Sequence, residues 1–217
     1  MSLVSNLFLL FVAASILIYY IVPRKSQWIV LLIFSYLYYI AGGPRYVVFI
    51  LFSTLVTWLM ALLIEKAEGK ENHKGARKLL ILGLILNFGM LGIVKYTNFA
   101  VENINALLHL NLRGIQLLLP LGISFYTFQS SGYLLDVYWK RCKAERHPLK
   151  YALFVSFFPQ ILQGPIGRYS RLADQLYAEH RFEGNNIIRG FERILWGFFK
   201  KMILADWAAV FADAIFE

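Results

Sequence analysis

The first 64 residues are almost free of charge, and no other feature limits so strongly what this chain can fold into. They contain no Asp or Glu and only three basic side chains, Arg24, Lys25 and Arg45. Over the whole chain 59% of residues are hydrophobic and 16% are charged, whereas soluble domains have about 45–50% and about 25%. The composition therefore predicts a membrane protein, whose size is best counted in spanning helices of about 20 residues.

Apolar runs of nearly spanning length recur along the chain. They cover residues 3–22, 28–40, 46–64, 79–94 and 115–138, and a broken segment at 151–168 and an amphipathic helix at 187–204 follow. The pattern predicts an all-α, polytopic helical membrane protein in which residues 1–217 form part of a single domain. Residues 99–112 have apolar side chains near helical spacing, which predicts a separate short helix on the outer membrane surface.

The distribution of Lys and Arg between alternate loops predicts the orientation. Residues 23–27, 65–78 and 140–150 together carry twelve basic side chains, whereas 41–45 and 95–114 carry three. Because Lys and Arg concentrate in cytoplasmic loops, the first set is expected in the cytoplasm and the N-terminus outside.

The net charge of +9 fits basic loops beside anionic lipid. Nucleic-acid-binding signatures are absent, so nucleic acid is not an expected partner. The phosphate-binding, zinc-protease and nucleophile-elbow motifs of soluble enzymes are also absent, and no metal site is predicted. Cys142 is the single cysteine. The flanking Arg141 and Lys143 would lower its pKa, but an inert loop thiol is the favoured interpretation.

Polar side chains first enter an apolar run at residues 120–138. They include Ser124, Tyr126, Thr127, Gln129, Ser130, Ser131 and Asp136. Helical spacing places Gln129, Tyr133 and Asp136 on one face. Polar groups in lipid need partners, so this face is expected to point into protein or a water-filled cavity. Interhelical hydrogen bonding without a further function is the alternative.

The segment at 154–168 cannot continue as a straight helix, because Pro159 and Pro165 each remove an amide donor. A broken or re-entrant segment is therefore expected near 159–168, buried in protein or lining a cavity. Its chemical groups are Gln160, Gln163 and Arg168. Arg168 would bind an anionic or carbonyl-bearing substrate, or would face lipid phosphates.

Four sequence blocks occur in a fixed order: PLGISFYTFQ at 120–129, YLLDVY at 133–138, FVSFFPQILQGPIGR at 154–168 and WGFFKKMILAD at 196–206. Together they closely resemble the membrane-bound O-acyltransferase family, in the branch of the alginate O-acetylation membrane subunit. The resemblance implies an incomplete bundle of that type, with residues that line or support a substrate tunnel. Those residues are Tyr126, Gln129, Asp136, Gln160, Gln163 and Arg168.

The resemblance also implies an activity. Members move an acyl group, usually acetyl, from cytoplasmic acyl-CoA toward hydroxyls of an extracytoplasmic polysaccharide such as alginate, without a bound cofactor. This implies a bacterial inner-membrane protein that contacts lipids, acyl-CoA and the acceptor, with a secreted or periplasmic acetyltransferase as a possible partner. None of His73, His109, His147 and His180 matches the family's catalytic histidine, which is expected beyond residue 217. We therefore expect the N-terminal half of such an enzyme, a fragment or truncated gene product that is inactive alone.

Two other functions are compatible with the sequence. The first is a non-enzymatic scaffold or acyl conduit that recruits a secreted acetyltransferase through residues 99–112. The second is a small transporter, which only the broken segment at 159–168 favours.

Overall fold

The computed structural model describes residues 6–108, 110, 120–161 and 164–216. Within those ranges the chain is helical and contains no strand, as predicted. The helices are α1 (Asn6–Ile21), α2 (Gln27–Gly42), α3 (Val47–Glu68), α4 (His73–Leu108), α5 (Ile123–Tyr138), α6 (Pro148–Ser156), α7 (Tyr169–Tyr177), α8 (Gly184–Phe199) and α9 (Asp206–Phe216). Single 3₁₀ turns, Arg24–Ser26 and Pro44–Tyr46, lead into α2 and α3.

The prediction of a separate helix at 99–112 is wrong. Residues 99–108 continue α4, which runs for 36 residues without interruption. The segment at 95–98, predicted as part of the loop 95–114, has no Pro or Gly to end the helix. Local polarity alone does not break a helix.

Two helical segments, Pro44–Glu68 and His73–Leu108, are long and apolar enough to cross a membrane. Many of their apolar side chains are exposed, including Leu51, Leu55, Ile81 and Ile85. An apolar surface of this kind suits lipid as solvent, and the described helices fit a helical membrane protein.

The centre of the first compact unit, residues up to 179, is formed by α3, α4 and α5, which pack against one another. Helix α6 packs against both α2 and α3. Small residues permit the closest approaches, since a Cβ on Gly83 of α4 would lie 2.8 Å from Leu134 Cδ1 of α5. A cluster of aromatic rings joins α5, α6 and α7. It consists of Tyr133, Tyr151, Phe154 and Tyr169.

Residues 180–217 form a second compact unit. Here α8 passes into a π-helical turn, Lys200–Ala205, before α9 begins. The wider turn shifts the side-chain register relative to an uninterrupted α-helix. Within this unit Trp196 and Phe199 stack with ring centroids 5.1 Å apart, and Lys201 Nζ lies 2.9 Å from Asp206 Oδ2.

Candidate functional site

The polar residues of α5 lie inside the helical bundle. Tyr126, Thr127 and Ser130 are fully buried, and Gln129 and Ser131 are 3% and 4% exposed. The hydroxyls of Tyr126, Thr127, Ser130 and Ser131 are outside hydrogen-bonding geometry with every described residue, although Tyr39 lies close to Tyr126 and Tyr151 close to Ser130. Buried hydroxyls without a partner are costly in an apolar medium. The α5 face is therefore suited to meet water, a polar ligand or another segment of protein.

Gln129 is the exception, because its side chain has a partner in α6. Gln129 Nε2 donates to the carbonyl oxygen of Phe154 at 3.1 Å. In a continuing helix this oxygen would accept from the Phe158 amide, but that amide donates to Ser35 Oγ of α2 at 3.2 Å. Two side chains from neighbouring helices thus replace the backbone hydrogen bond that is lost where α6 ends.

The segment after α6 is broken, as predicted. Helix α6 ends at Ser156 and α7 begins at Tyr169. Within it Gln160 Nε2 donates to the Pro165 carbonyl at 2.5 Å, closing the segment on itself. A Cβ on Gly167 would lie 2.5 Å from Gln160 Nε2, so a side chain there would require the Gln160 amide to move from its position beside the Pro165 carbonyl.

This broken segment packs against the start of α5. Gly122 precedes α5 with φ +66°, and a Cβ there would lie 2.5 Å from the Ile161 carbonyl oxygen. The left-handed conformation and the close approach both favour glycine. Gly122 belongs to the block PLGISFYTFQ, but its role in this contact was not predicted. A Pro-Leu-Gly tripeptide before an apolar helix was the available signal.

The other predicted site residues occupy different surroundings. Asp136 Oδ1 lies 3.6 Å from Arg141 Nη1 at the end of α5. Arg168 is exposed and directly precedes α7. Gln163 lies outside the described residues. The structure brings Gln129 to the α6 end and buries Tyr126 one turn earlier on α5, beside Tyr39 of α2, whereas Asp136 lies near the end of α5 and Arg168 directly before α7.

Sequence reasoning missed Glu145, which organises the loop between α5 and α6. Its carboxylate accepts from Tyr169 Oη at 2.5 Å and from the His147 amide at 2.8 Å. Its amide donates to Tyr133 Oη at 2.8 Å, and its carbonyl accepts from Trp58 Nε1 at 2.9 Å. Glu145 therefore ties α3, α5 and α7 to one loop. Its position among charged loop residues gave no signal of this role.

The C-terminal end of α3 holds the same loop. Glu65 Oε1 accepts from the Ala144 amide at 3.0 Å, and Glu65 Oε2 pairs with Arg146. Glu68 Oε2 pairs with Lys140 Nζ at 3.1 Å. Lys140, Arg141 and Arg146 of the loop are therefore paired with acidic partners, although their side chains stay more than half exposed.

A second polar cluster crosses the centre of the bundle. Ser53 Oγ of α3 donates to Asn87 Oδ1 of α4 at 2.6 Å, and Asn87 Nδ2 donates to Thr57 Oγ1 at 2.9 Å. All three side chains are at most 1% exposed. Satisfied polar groups of this kind fix how two helices pair in lipid.

Among the described residues, Cys142 and the exposed His73, His147 and His180 are not placed as catalytic groups. Burial, together with the smaller effect of the negative charges of Asp136 and Glu65, raises the pKa of the Cys142 thiol to about 11. The suggestion that neighbouring Arg141 and Lys143 lower this pKa is therefore wrong, because desolvation dominates. His73 and His147 are exposed. His109 lies outside the described residues, and no group of three His, Cys, Asp or Glu among the described residues is placed to hold a metal ion.

Comparison with known proteins decides the family. The chain is 34% identical to the probable alginate O-acetylases of Pseudomonas syringae and Pseudomonas aeruginosa, over 98% of this chain and 41% of each relative. It is 33% identical to the peptidoglycan O-acetyltransferase of Helicobacter pylori, over 88% of this chain and 40% of that protein. The chain belongs to the membrane-bound O-acyltransferase family. No family model matches it, and neither does any solved structure.

The chain spans about two fifths of the length of these relatives of the membrane-bound O-acyltransferase family. Similarity covers nearly the whole chain, so it includes the apolar helices as well as the four blocks that first indicated the family. The buried face of α5 and the broken segment after α6 therefore both lie within the region that is similar to these relatives.

Proposed function

We propose that this chain is part of a membrane O-acyltransferase that transfers an acyl group, in the first instance acetyl, from cytoplasmic acyl-CoA to hydroxyls of an extracytoplasmic polysaccharide such as alginate. One observation carries the proposal: 34% identity over 98% of the chain to proteins named alginate O-acetylases. The similar protein named peptidoglycan O-acetyltransferase supports the wider class of glycan acceptors.

The reaction requires a hydroxyl oxygen to attack the thioester carbon. The C–S bond breaks, an ester forms, and the hydroxyl proton passes through a general base to the leaving thiolate. A base must come within hydrogen-bond reach of the acceptor hydroxyl in a water-excluding site. The resemblance assigns this role to a histidine outside these residues, and the exposure of His73 and His147 agrees with that assignment.

The described part of the chain would shape the path to that histidine. We assign Gln129 and Gln160 to holding broken backbone in place, which their bonds to the Phe154 and Pro165 carbonyls support. Tyr126 is buried, with its hydroxyl close to Tyr39 but outside hydrogen-bonding geometry, and would contact water or substrate. Exposed Arg168, at the start of α7, would attract anionic groups. Gln163, in the broken segment after α6, and Asp136, near the end of α5, would also line or support the substrate tunnel.

The predicted orientation completes the proposal. The protein would lie in the bacterial inner membrane with several passes and its N-terminus outside, and the loop held by Glu145 would face the cytoplasm. The partners of the protein would be membrane lipids, acyl-CoA and the polysaccharide acceptor. The acceptor would be reached through a secreted or periplasmic acetyltransferase.

The test is acetyl transfer by the intact protein. Membranes that contain it would be given radiolabelled acetyl-CoA and alginate, and base-labile label on the polysaccharide would be measured. Matched membranes with a substitution of the candidate histidine outside this chain form the control. Label that appears with the wild type and is lost with the substitution supports the proposal. Equal labelling in both membranes would refute acyl transfer by this protein.

A scaffold is the second candidate function, and one observation favours it. The end of α4 presents exposed apolar side chains, among them Phe99 at 66% and Leu107 at 79%. A secreted acetyltransferase could bind there. If polysaccharide acetylation survives substitution of the histidine but is lost in the variant with Phe99→Ser and Leu107→Ser, the scaffold is the correct function.

A further inference from the structure

Helices α2, α3 and α6 leave a groove that none of the candidate site residues lines. Helix α6 packs against both partners, whereas α2 and α3 touch each other only sparsely, and a space of about 480 Å³ opens between them. The groove is open on one side, and its lining is almost entirely apolar. Lining residues are Leu32, Tyr36, Leu51, Thr54, Leu55 and Leu149.

The groove lies in a segment suited to the bilayer interior. Leu51 and Leu55 are 48% and 55% exposed and belong to the helical segment Pro44–Glu68, which is apolar enough to span. The only hydroxyls in the lining belong to Tyr36 and Thr54. They lie close together but outside hydrogen-bonding geometry. An occupant of this space must therefore be mainly hydrocarbon.

The Pro148 end of the groove leads, through His147 and Trp28, toward a basic turn before α2. Pro148 lines the groove, and the preceding His147 contacts the Trp28 ring at a centroid distance of 5.4 Å. Arg24 and Lys25 form the 3₁₀ turn directly before α2 and are exposed. Neither makes an ion pair with a described residue. An indole at the interface and two cations beside it form the arrangement expected at an anionic headgroup.

We propose that this groove binds one acyl chain of an anionic phospholipid whose headgroup contacts Arg24 and Lys25. The apolar lining accepts the chain, and the basic turn selects the headgroup by charge complementarity. The site is independent of the acyl-transfer reaction and shares no residue with it. It is a structural lipid site on the leaflet that faces the basic loops.

The acyl-chain part of the proposal is tested by filling the groove. The intact protein, purified in detergent and exposed to phosphatidylglycerol, would be examined by native mass spectrometry for retained lipid. Leu55→Trp should fill the groove and reduce retention about tenfold. Leu59→Trp is the matched control, because Leu59 is 41% exposed on the same helix but does not line the groove.

The headgroup part is tested by charge removal and by comparison with phosphatidylcholine. The variant with Arg24→Gln and Lys25→Gln should lose the preference for phosphatidylglycerol. The control variant, Lys70→Gln with Lys74→Gln, changes two exposed basic residues at the turn before α4 and at the start of α4, and it should keep the preference. Equal retention by Leu55→Trp and Leu59→Trp would overturn the proposal. So would a wild type that retains no phospholipid, as expected if another segment of protein fills the groove, or one that shows no headgroup preference.

Discussion

Gly122 and the carbonyl of Ile161 lie so close that a Cβ on Gly122 would be 2.5 Å from the oxygen. This contact joins the start of α5 to the broken segment after α6. At this point the two parts of the chain that carry the family's motifs meet backbone to backbone, and the bond from Gln129 to the Phe154 carbonyl joins the same two parts through a side chain.

Replacing Gly122 with Ala should destabilise the protein by about 2–4 kcal/mol, from left-handed strain together with overpacking. The measurement is the free energy of unfolding in detergent, followed by helical circular dichroism. Gly132→Ala is the matched control on α5, since a Cβ there meets nothing within 4 Å. It should be neutral or stabilising by up to about 1 kcal/mol. Similar losses for both variants would contradict the proposed contact.

Gln129→Leu should leave the Phe154 carbonyl without its side-chain donor and cost about 1–3 kcal/mol, because a buried acceptor loses its partner. Thermal unfolding of the purified protein measures the loss. Phe128→Leu, at the exposed neighbouring position on α5, is the control and should cost less, about 1 kcal/mol or below, because it gives up only the edge contact with the Phe88 ring. If Gln129→Leu has no effect, the α6 end is held by other contacts.

The helical class and the break after α6 could be predicted because both depend on local sequence. Apolar runs indicated the helices, and Pro159 with Pro165 indicated the end of α6. The partner of Gln129 could not be predicted, because Phe154 lies 25 residues away and the contact depends on how α5 packs against α6.

Glu145 shows the same limit more clearly. Its four partners come from α3, α5, α7 and its own loop. Nothing in the local pattern separates it from the other charged residues of the loop. Asn87 differs, since a lone amide in the apolar run 79–94 indicates a buried partner, yet the identity of Ser53 and Thr57 required the structure.

Asn87→Leu should break both hydrogen bonds from α4 to α3 and cost about 1–3 kcal/mol, as expected for two interhelical bonds in lipid. A double-mutant cycle with Ser53→Ala measures the coupling, which should be favourable. Asn103→Leu on the same helix is the control, because Asn103 is exposed and bonds only within α4. Additive effects of Asn87→Leu and Ser53→Ala would show that the pair is not coupled.

Tyr169→Phe removes the hydroxyl that donates to Glu145 Oε2 and should loosen the loop between α5 and α6. Loss of a hydrogen bond to a charged group costs about 1.5–3 kcal/mol, so trypsin should cut after Arg141, Lys143 or Arg146 at least about tenfold faster. Tyr96→Phe, at an exposed position on α4, should leave the cutting rate unchanged. An unchanged rate for Tyr169→Phe would show that other contacts order the loop.

Cys142 should react slowly with iodoacetamide at pH 8. With a pKa of about 11, about one thiol in a thousand is ionised at that pH, whereas about a quarter would be at an ordinary pKa of about 8.5. The native rate should therefore be about two orders of magnitude below that of the unfolded chain, and it should rise with pH until about 11. A native rate that levels off near pH 8.5 would contradict the burial of the thiol.

The length of α4 links two distant parts of the molecule. Its 36 residues extend about 54 Å, well beyond a hydrocarbon layer of about 30 Å. Twenty residues of unbroken helix separate Asn87, fixed against α3, from exposed Leu107. An unbroken helix fixes both the distance and the rotation between these two side chains, because each residue turns the helix by about 100°. Whatever binds the Leu107 end is thereby held in rotational register with the buried core.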